Sequence, residues 1–160
     1  MQWSRALGLA KATARKWHRG QEYSPGVSYY DGHLVPVDNY LQSIGAYDLE
    51  RAAGYLHDIL EDTLFPPEAL ELFPYKVHTA VLLLTRREDQ TYREYMDGIM
   101  GSRTAMLVKW ADSSANLAAS LVDKENQLAA TGAVSERTLA RIERYTVNVN
   151  RLTRSLGPRL

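Results

Sequence analysis

From Ser4 to Ser155 alternation of apolar and polar residues is not sustained, so little of this chain offers the two-faced strand that a sheet requires. Apolar residues recur instead at helical spacing between Gly and Pro breaks. Ser4 to Trp17 reads as a helix with Ala6, Leu9, Ala10, Ala14 and Trp17 on one side. Gly20, Pro25 and Gly26 then make Arg19 to Gly32 a loop rich in Tyr, Ser and Gly. A second helix is expected from Leu34 to Ile44, ending at Gly45. A third is expected from an N-cap at Asp48 to near Thr63, with Ala52, Ala53, Leu56 and Leu60 inward. Pro66-Pro67 stops it and opens a short helix to Leu72. Val77 to Thr85 reads as a buried helix, although Ala80 to Thr85 alone has the content of a strand. Thr91 to Met100 is a short helix closed by Gly101, and Ser102 to Leu121 a long one. Ser135 to Ser155 follows, with Leu139, Ile142, Tyr145, Val149 and Leu152 as its inward stripe. The expectation is an all-α bundle.

At 160 residues the chain is expected to form one domain, long enough to bury a core. Its 19 basic and 19 acidic side chains balance, which argues against general nucleic-acid binding. Cysteine is absent, so neither a disulfide framework nor a thiolate zinc site can form. The apolar run Ala80 to Leu84 is far too short to span a bilayer, and the first residues lack the apolar segment of a secretory signal. A cytoplasmic protein without membrane partners is expected.

Tyr55-Leu56-His57-Asp58-Ile59-Leu60-Glu61-Asp62 sets an imidazole and three carboxylates within two helical turns. Residues four apart share a helix face, which would put His57 above Glu61 and Asp58 above Asp62. Acids this close repel one another unless a cation lies among them. His33 follows the Tyr-rich loop, and Asp112 lies one turn before Asn116. A divalent cation held by His33, His57, Asp58 and Asp112 would have mixed N/O ligands with positions left for water and substrate. That set suits Mn²⁺ or Fe²⁺ better than closed tetrahedral zinc.

The order His18-x-Gly20-Gln21, Tyr29 to His33, Leu56-His57-Asp58-x-x-Glu61-Asp62-Thr63, Leu84-Thr85 and Lys109-x-Ala111-Asp112-x-x-x-Asn116 resembles the HD-domain hydrolases of the RelA/SpoT type. Within them it is most similar to the small stand-alone (p)ppGpp hydrolases. The resemblance covers about residues 6–121 of a single 1–160 HD domain, with a C-terminal helix at about 135–155. It implies an HD-domain helical bundle with metal ligation by His33, His57, Asp58 and Asp112. It also implies catalytic acids at Glu61 and Asp62 and a substrate-contacting Asn116. The implied reaction is Mn²⁺-supported hydrolysis of the 3′-pyrophosphate of an alarmone nucleotide by a metal-activated water, releasing pyrophosphate. Chemically, one of two neighbouring carboxylates can carry a proton that the other does not.

Three departures bear on the substrate. Glu22 and Tyr23 stand after Gln21 where the family often has a basic residue, and no Lys or Arg lies between Gln21 and His33. The span from His18 to His33 is one residue longer than the family pattern, with Leu34 in place of the usual Pro. Ala118 stands where an Arg commonly follows the Asn. Another nucleotide or phosphoester, such as a nucleoside monophosphate or NADPH, is therefore the alternative substrate, and a non-catalytic nucleotide-binding regulatory module the alternative role.

Lys109 reads equally as a phosphate contact or a structural ion pair. Tyr29 and Tyr30 are candidates to stack on a base, with packing expected for one of them. His18 reads as a helix-end histidine, His78 as a packing residue, and Arg86-Arg87 as a solvated terminus that deserves a substrate test. Arg137, Arg141 and Arg144 read as a solvated face, with a homo-oligomer or partner contact left open.

Overall fold

Ser and Thr side chains start the long helices, and glycines end two of the elements that matter most. In the computed structural model, which describes residues 3–157, Thr91 and Glu94 close a capping box at the head of one helix: the Thr91 hydroxyl accepts from Glu94 N at 3.2 Å, and Glu94 Oε2 accepts from Thr91 N at 2.8 Å. Ser102 and Ser135 cap their helices in the same way, accepting from Ala105 N and Thr138 N. Gly132 stops the longest helix with φ +71°, a conformation that costs glycine little.

The elements run α1 (Trp3–Trp17), β1 (Glu22–Ser24), β2 (Val27–Ser28), a π-helical turn (Tyr30–Leu34), α2 (Val35–Ser43), α3 (Asp48–Leu56) and α4 (Ile59–Asp62). A 3₁₀ turn (Pro67–Leu72), α5 (Tyr75–Leu84), α6 (Tyr92–Met100), α7 (Arg103–Thr131) and α8 (Glu136–Leu156) complete the chain. The architecture is an all-α bundle in which α7 touches α2, α3, α5, α6 and α8. Small residues on α7, Ala105, Ala111 and Ala115, let its neighbours approach closely. Leu34, Leu41, Leu56, Ile59, Val81 and Val108 fill the centre, each worth about 1.5–3 kcal/mol of burial. No helix among the described residues is long and apolar enough to cross a membrane.

Several expectations need correction. The loop between Arg19 and Gly32 contains a short antiparallel hairpin, Glu22 facing Ser28, turned at Pro25-Gly26 with Gly26 at φ +78°. The chain is already helical at Tyr30, four residues before the expected start at Leu34, because the π-turn precedes α2. Asp48 is the first helical residue rather than the N-cap. Tyr47 takes the cap position, and its N–H is accepted by Glu50 at 2.6 Å. On α1 Leu7 is buried and Leu9 exposed. On α8 Leu139 is exposed, while Leu152 and Leu156 anchor the helix. The α7 helix continues past Leu121 to Thr131, because Asp123 finds Arg141 on α8 at 3.2 Å and Gln127 finds Thr138 at 2.9 Å.

The third helix is not continuous to Thr63. It ends at Leu56, and Asp58 takes φ −99°, ψ 2° before α4 begins. In an unbroken helix adjacent side chains diverge by about 100°. The break lets His57 and Asp58 turn toward one point, which the four-apart face argument did not foresee.

Candidate metal centre and active-site cleft

Three separate elements deliver the ligand candidates. His33 comes from the π-turn, His57 and Asp58 from the break between α3 and α4, and Asp112 from α7. The Nε2 atoms of His33 and His57 lie 3.4 Å apart. Asp58 Oδ2 is 2.8 Å from His57 Nε2 and 3.5 Å from His33 Nε2, and Asp112 Oδ1 is 3.7 and 3.4 Å from the same two atoms. His33, His57 and Asp58 thus present three donor atoms close enough to share one ion. Asp112 Oδ1 lies within 3.7 Å of both imidazole nitrogens but stands outside that three-residue group.

The surroundings fix how these groups can act. His57 Nδ1 donates to Gly54 O at 2.7 Å, so its Nε2 is the nitrogen free to ligate. Gly54 is close-packed: a Cβ there would meet Leu41 Cδ1 at 2.7 Å, so the Leu41 side chain would have to shift to keep α3 this near α2. Burial opposes charge on both imidazoles, yet the neighbouring carboxylates prevail and hold His33 above, and His57 well above, the ordinary histidine value. Burial likewise opposes ionisation of Asp58 and Asp112. For Asp58 the His57 charge and hydrogen bonds from His33 and His57 prevail, and for Asp112 the Lys109 ammonium and the same imidazoles do. Both carboxyls lie well below their usual range. One buried and one half-buried anion facing two buried imidazoles form a donor set suited to a divalent cation.

The cleft in front of this cluster has a volume of about 300 Å³ and is lined by carboxylates, cations and tyrosines. Glu61 and Asp62 reach it from α4. Desolvation by the cleft pushes the Glu61 carboxyl above its ordinary value, against the Arg86 backbone N–H that donates to it. Asp62 Oδ2 is 3.4 Å from Gln21 Nε2. Asn116 donates to Asp112 Oδ1 at 2.6 Å and lines the cleft as well. Lys109 donates to Asp112 Oδ2 at 2.8 Å, which is the structural ion pair its sequence offered, and it also lines the cleft beside Tyr95. Asp112 holds its ammonium well above the ordinary lysine value despite burial.

Tyr29 lines the cleft, and its hydroxyl donates to Asp58 Oδ2, an engagement that its expected stacking role did not include. Tyr30 turns inward and stacks on Tyr55, centroids 5.5 Å apart. Among the remaining cleft residues, Tyr23, Tyr92, Tyr95, Arg144 and Tyr145 were not singled out for a site in sequence. The α8 arginines, grouped above by helical spacing, divide in the structure. Arg141 pairs with Asp123, Arg137 is exposed, and Arg144 reaches the cleft with its guanidinium 4.8 Å above the Tyr145 ring. A run of Tyr and Arg one helix away is the signal that could have found them.

No family model and no curated protein matches this chain. Thirteen chains of solved structures do. One is a metazoan ortholog of SpoT that hydrolyses ppGpp and plays a role in starvation responses. It aligns with a TM-score of 0.69 at 22% sequence identity, over 96% of this chain and 86% of its own. That likeness establishes the fold, an all-α helical bundle shared with that protein.

Proposed function

We propose that this chain hydrolyses the 3′-pyrophosphate of (p)ppGpp at a Mn²⁺ centre formed by His33, His57, Asp58 and Asp112. The observation that carries the reading is the convergence of these four side chains, three of which (His33, Asp58 and Asp112) line a cleft that also holds Glu61, Asp62 and three cationic side chains. A shared fold with a protein that hydrolyses ppGpp supports the choice of substrate. A divalent cation bound there supplies Lewis acidity, activating water and neutralising phosphate oxygens.

The protein's own groups do the rest. The bond from His57 Nδ1 to Gly54 O keeps that ring in the ligating tautomer, and the Tyr29 hydroxyl fixes the Asp58 carboxylate. Desolvation raises the Glu61 pKa, which suits it to carry a proton, and Asp62 orients the attacking water. Arg86 and Arg144 face the departing phosphates, where a guanidinium matches oxygen pairs. Arg144 supplies from α8 a cation that the loop after Gln21 and the Ala118 position do not. Tyr23 and Tyr145 offer ring faces to a base. A cytoplasmic enzyme is the setting that such a substrate implies.

Pyrophosphate release from ppGpp by the Mn²⁺-loaded protein tests the reading, beside an Asp58→Ala control that should be inactive. Bound metal without release would refute the alarmone assignment. Metal analysis of protein purified without chelator distinguishes Mn²⁺ from Fe²⁺. The absence of any Lys or Arg between Gln21 and His33 favours a second reading, in which the same centre takes another nucleotide or phosphoester. Faster turnover of a nucleoside monophosphate or NADPH in the same assay would select it.

A further inference from the structure

His18 stands at the end of α1, where a histidine is ordinarily solvated, yet it is only 2% exposed. Gly20, at φ +82°, folds the chain back so that Gln21 N donates to His18 O at 3.1 Å, while Gln21 O accepts from Tyr29 N at 2.8 Å. With its backbone pinned on both sides, Gln21 sets its side chain between two partners. Its Oε1 lies 2.7 Å from His18 Nδ1, and its Nε2 lies 3.4 Å from Asp62 Oδ2. The second distance is long, as hydrogen bonds to catalytic groups often are before substrate arrives.

These contacts determine the tautomer. A carboxylate only accepts, so the amide nitrogen of Gln21 must face Asp62 and its oxygen must face His18. His18 therefore carries its proton on Nδ1. Its Nε2 is then a bare acceptor, and it is buried with no hydrogen-bond partner among the described residues. An apolar ring would fill the space without that cost, so packing alone does not account for an imidazole here. The same ring stacks on Tyr29, centroids 5.0 Å apart at 27°, and the Tyr29 hydroxyl donates to Asp58. One buried side chain thus underlies both arms of the cleft.

We infer that His18 and Gln21 form a relay that orients the Asp62 carboxylate, with His18 as its positioning residue. The inference rests on the assignment of Asp62 to the chemistry. Turnover of ppGpp by the Mn²⁺-loaded full chain tests it in His18→Phe, His18→Asn, Asp62→Asn and the His18→Phe/Asp62→Asn double variant. His18→Phe keeps the stack on Tyr29 and loses the Nδ1 donor. Its kcat should fall about tenfold, with KM and bound Mn²⁺ unchanged. His18→Asn places an amide nitrogen near the lost Nδ1 and should restore most of that rate. Once Asp62 is already Asn, His18→Phe should cost nothing further.

An equal further loss in the double variant, or loss of Mn²⁺ from His18→Phe, overturns the relay. Should His18→Phe fail to fold, Gln21→Met carries the same expectation from the other member of the pair. A wild-type protein that releases no pyrophosphate refutes the substrate reading and leaves the relay to a measurement that needs no substrate. In that measurement the ring ¹⁵N signals of His18 should show the proton on Nδ1, and the Gln21 side-chain amide should shift in Asp62→Asn. A proton on Nε2, or an unmoved amide, overturns the relay.

Discussion

The Asp38 carboxylate collects its partners from three helices. Arg51 donates to it twice, at 2.6 and 3.0 Å, Tyr55 OH at 3.0 Å and Gln42 Nε2 at 3.2 Å, with the Lys11 ammonium 3.8 Å away. The carboxylate is buried, and Tyr55 lies two residues before the ligand candidate His57, so the network ties α1 and α2 to the segment that carries the site. Asp38→Ala would leave the Tyr55 hydroxyl without its acceptor and the Arg51 guanidinium with only Asp48, 3.6 Å away. A loss of about 3–5 kcal/mol is expected, the range for breaking a buried pair, and urea denaturation measures it. A loss under about 1 kcal/mol would mean that the pair behaves as a surface one. Nothing in Val35-Pro36-Val37-Asp38-Asn39-Tyr40 marks this Asp as buried, because its burial is made by α1 and α3 docking on it. The four ligand candidates were legible for the opposite reason. Metal chemistry restricts them to His and acid residues, whereas a structural acid can lie on any polar face.

Among the elements, the hairpin β1–β2 was the least legible and matters most to the cleft. Its strands are too short for alternation to register, and a Pro-Gly pair marks a turn without saying what the turn carries. What it carries is Tyr23, whose ring lies nearly parallel to His33 with centroids 5.9 Å apart. Gly32 makes that possible, since a Cβ there would meet the Tyr23 side chain at 2.7–2.8 Å, including its own Cβ, which cannot rotate away. Gly32→Ala should displace the hairpin from His33 and lower turnover about tenfold, while urea stability falls by under ~1 kcal/mol because the hairpin is exposed. Parallel activity and denaturation measurements check the two halves of that expectation. The main helices were legible in their order, since periodicity and capping residues are local, but the division of the third into α3 and α4 was not. Their extensions were not: α7 runs on to Thr131 because α8 supplies partners for Asp123 and Gln127. The same packing brings Arg144 to the cleft. Arg144→Ala should raise KM about tenfold with little change in kcat, as loss of a uniform phosphate contact would, and steady-state kinetics decide it. A fall in kcat at constant KM would place Arg144 in the transition state instead.

Across the whole molecule, the candidate ligands lie far apart in sequence and meet only when the π-turn, the α3–α4 break and α7 are packed together. A cation there binds the folded chain and has no assembled site in the unfolded one. Mn²⁺ at a hundred times its dissociation constant should therefore add about 2.7 kcal/mol to stability, seen as a higher Tm. The sign of its pH dependence follows from the two imidazoles. His33 and His57 have raised values in the folded protein, so without metal their protonation contributes stability that is present below the ordinary histidine value and lost as pH rises through the raised ones. Mn²⁺ can bind only as those protons leave. Below pH of about 6 protons should hold the site, and added Mn²⁺ should move Tm little. As pH rises toward 8 the metal-free protein should lose stability while the Mn²⁺-dependent increment grows, so the two melting curves separate with pH. Melting with Mn²⁺ and with EDTA across that range measures the separation, and Asp112→Ala should abolish it at every pH. A gap that is constant, or that widens toward acid, would mean that the cation binds elsewhere and that the imidazoles only pair with the acids.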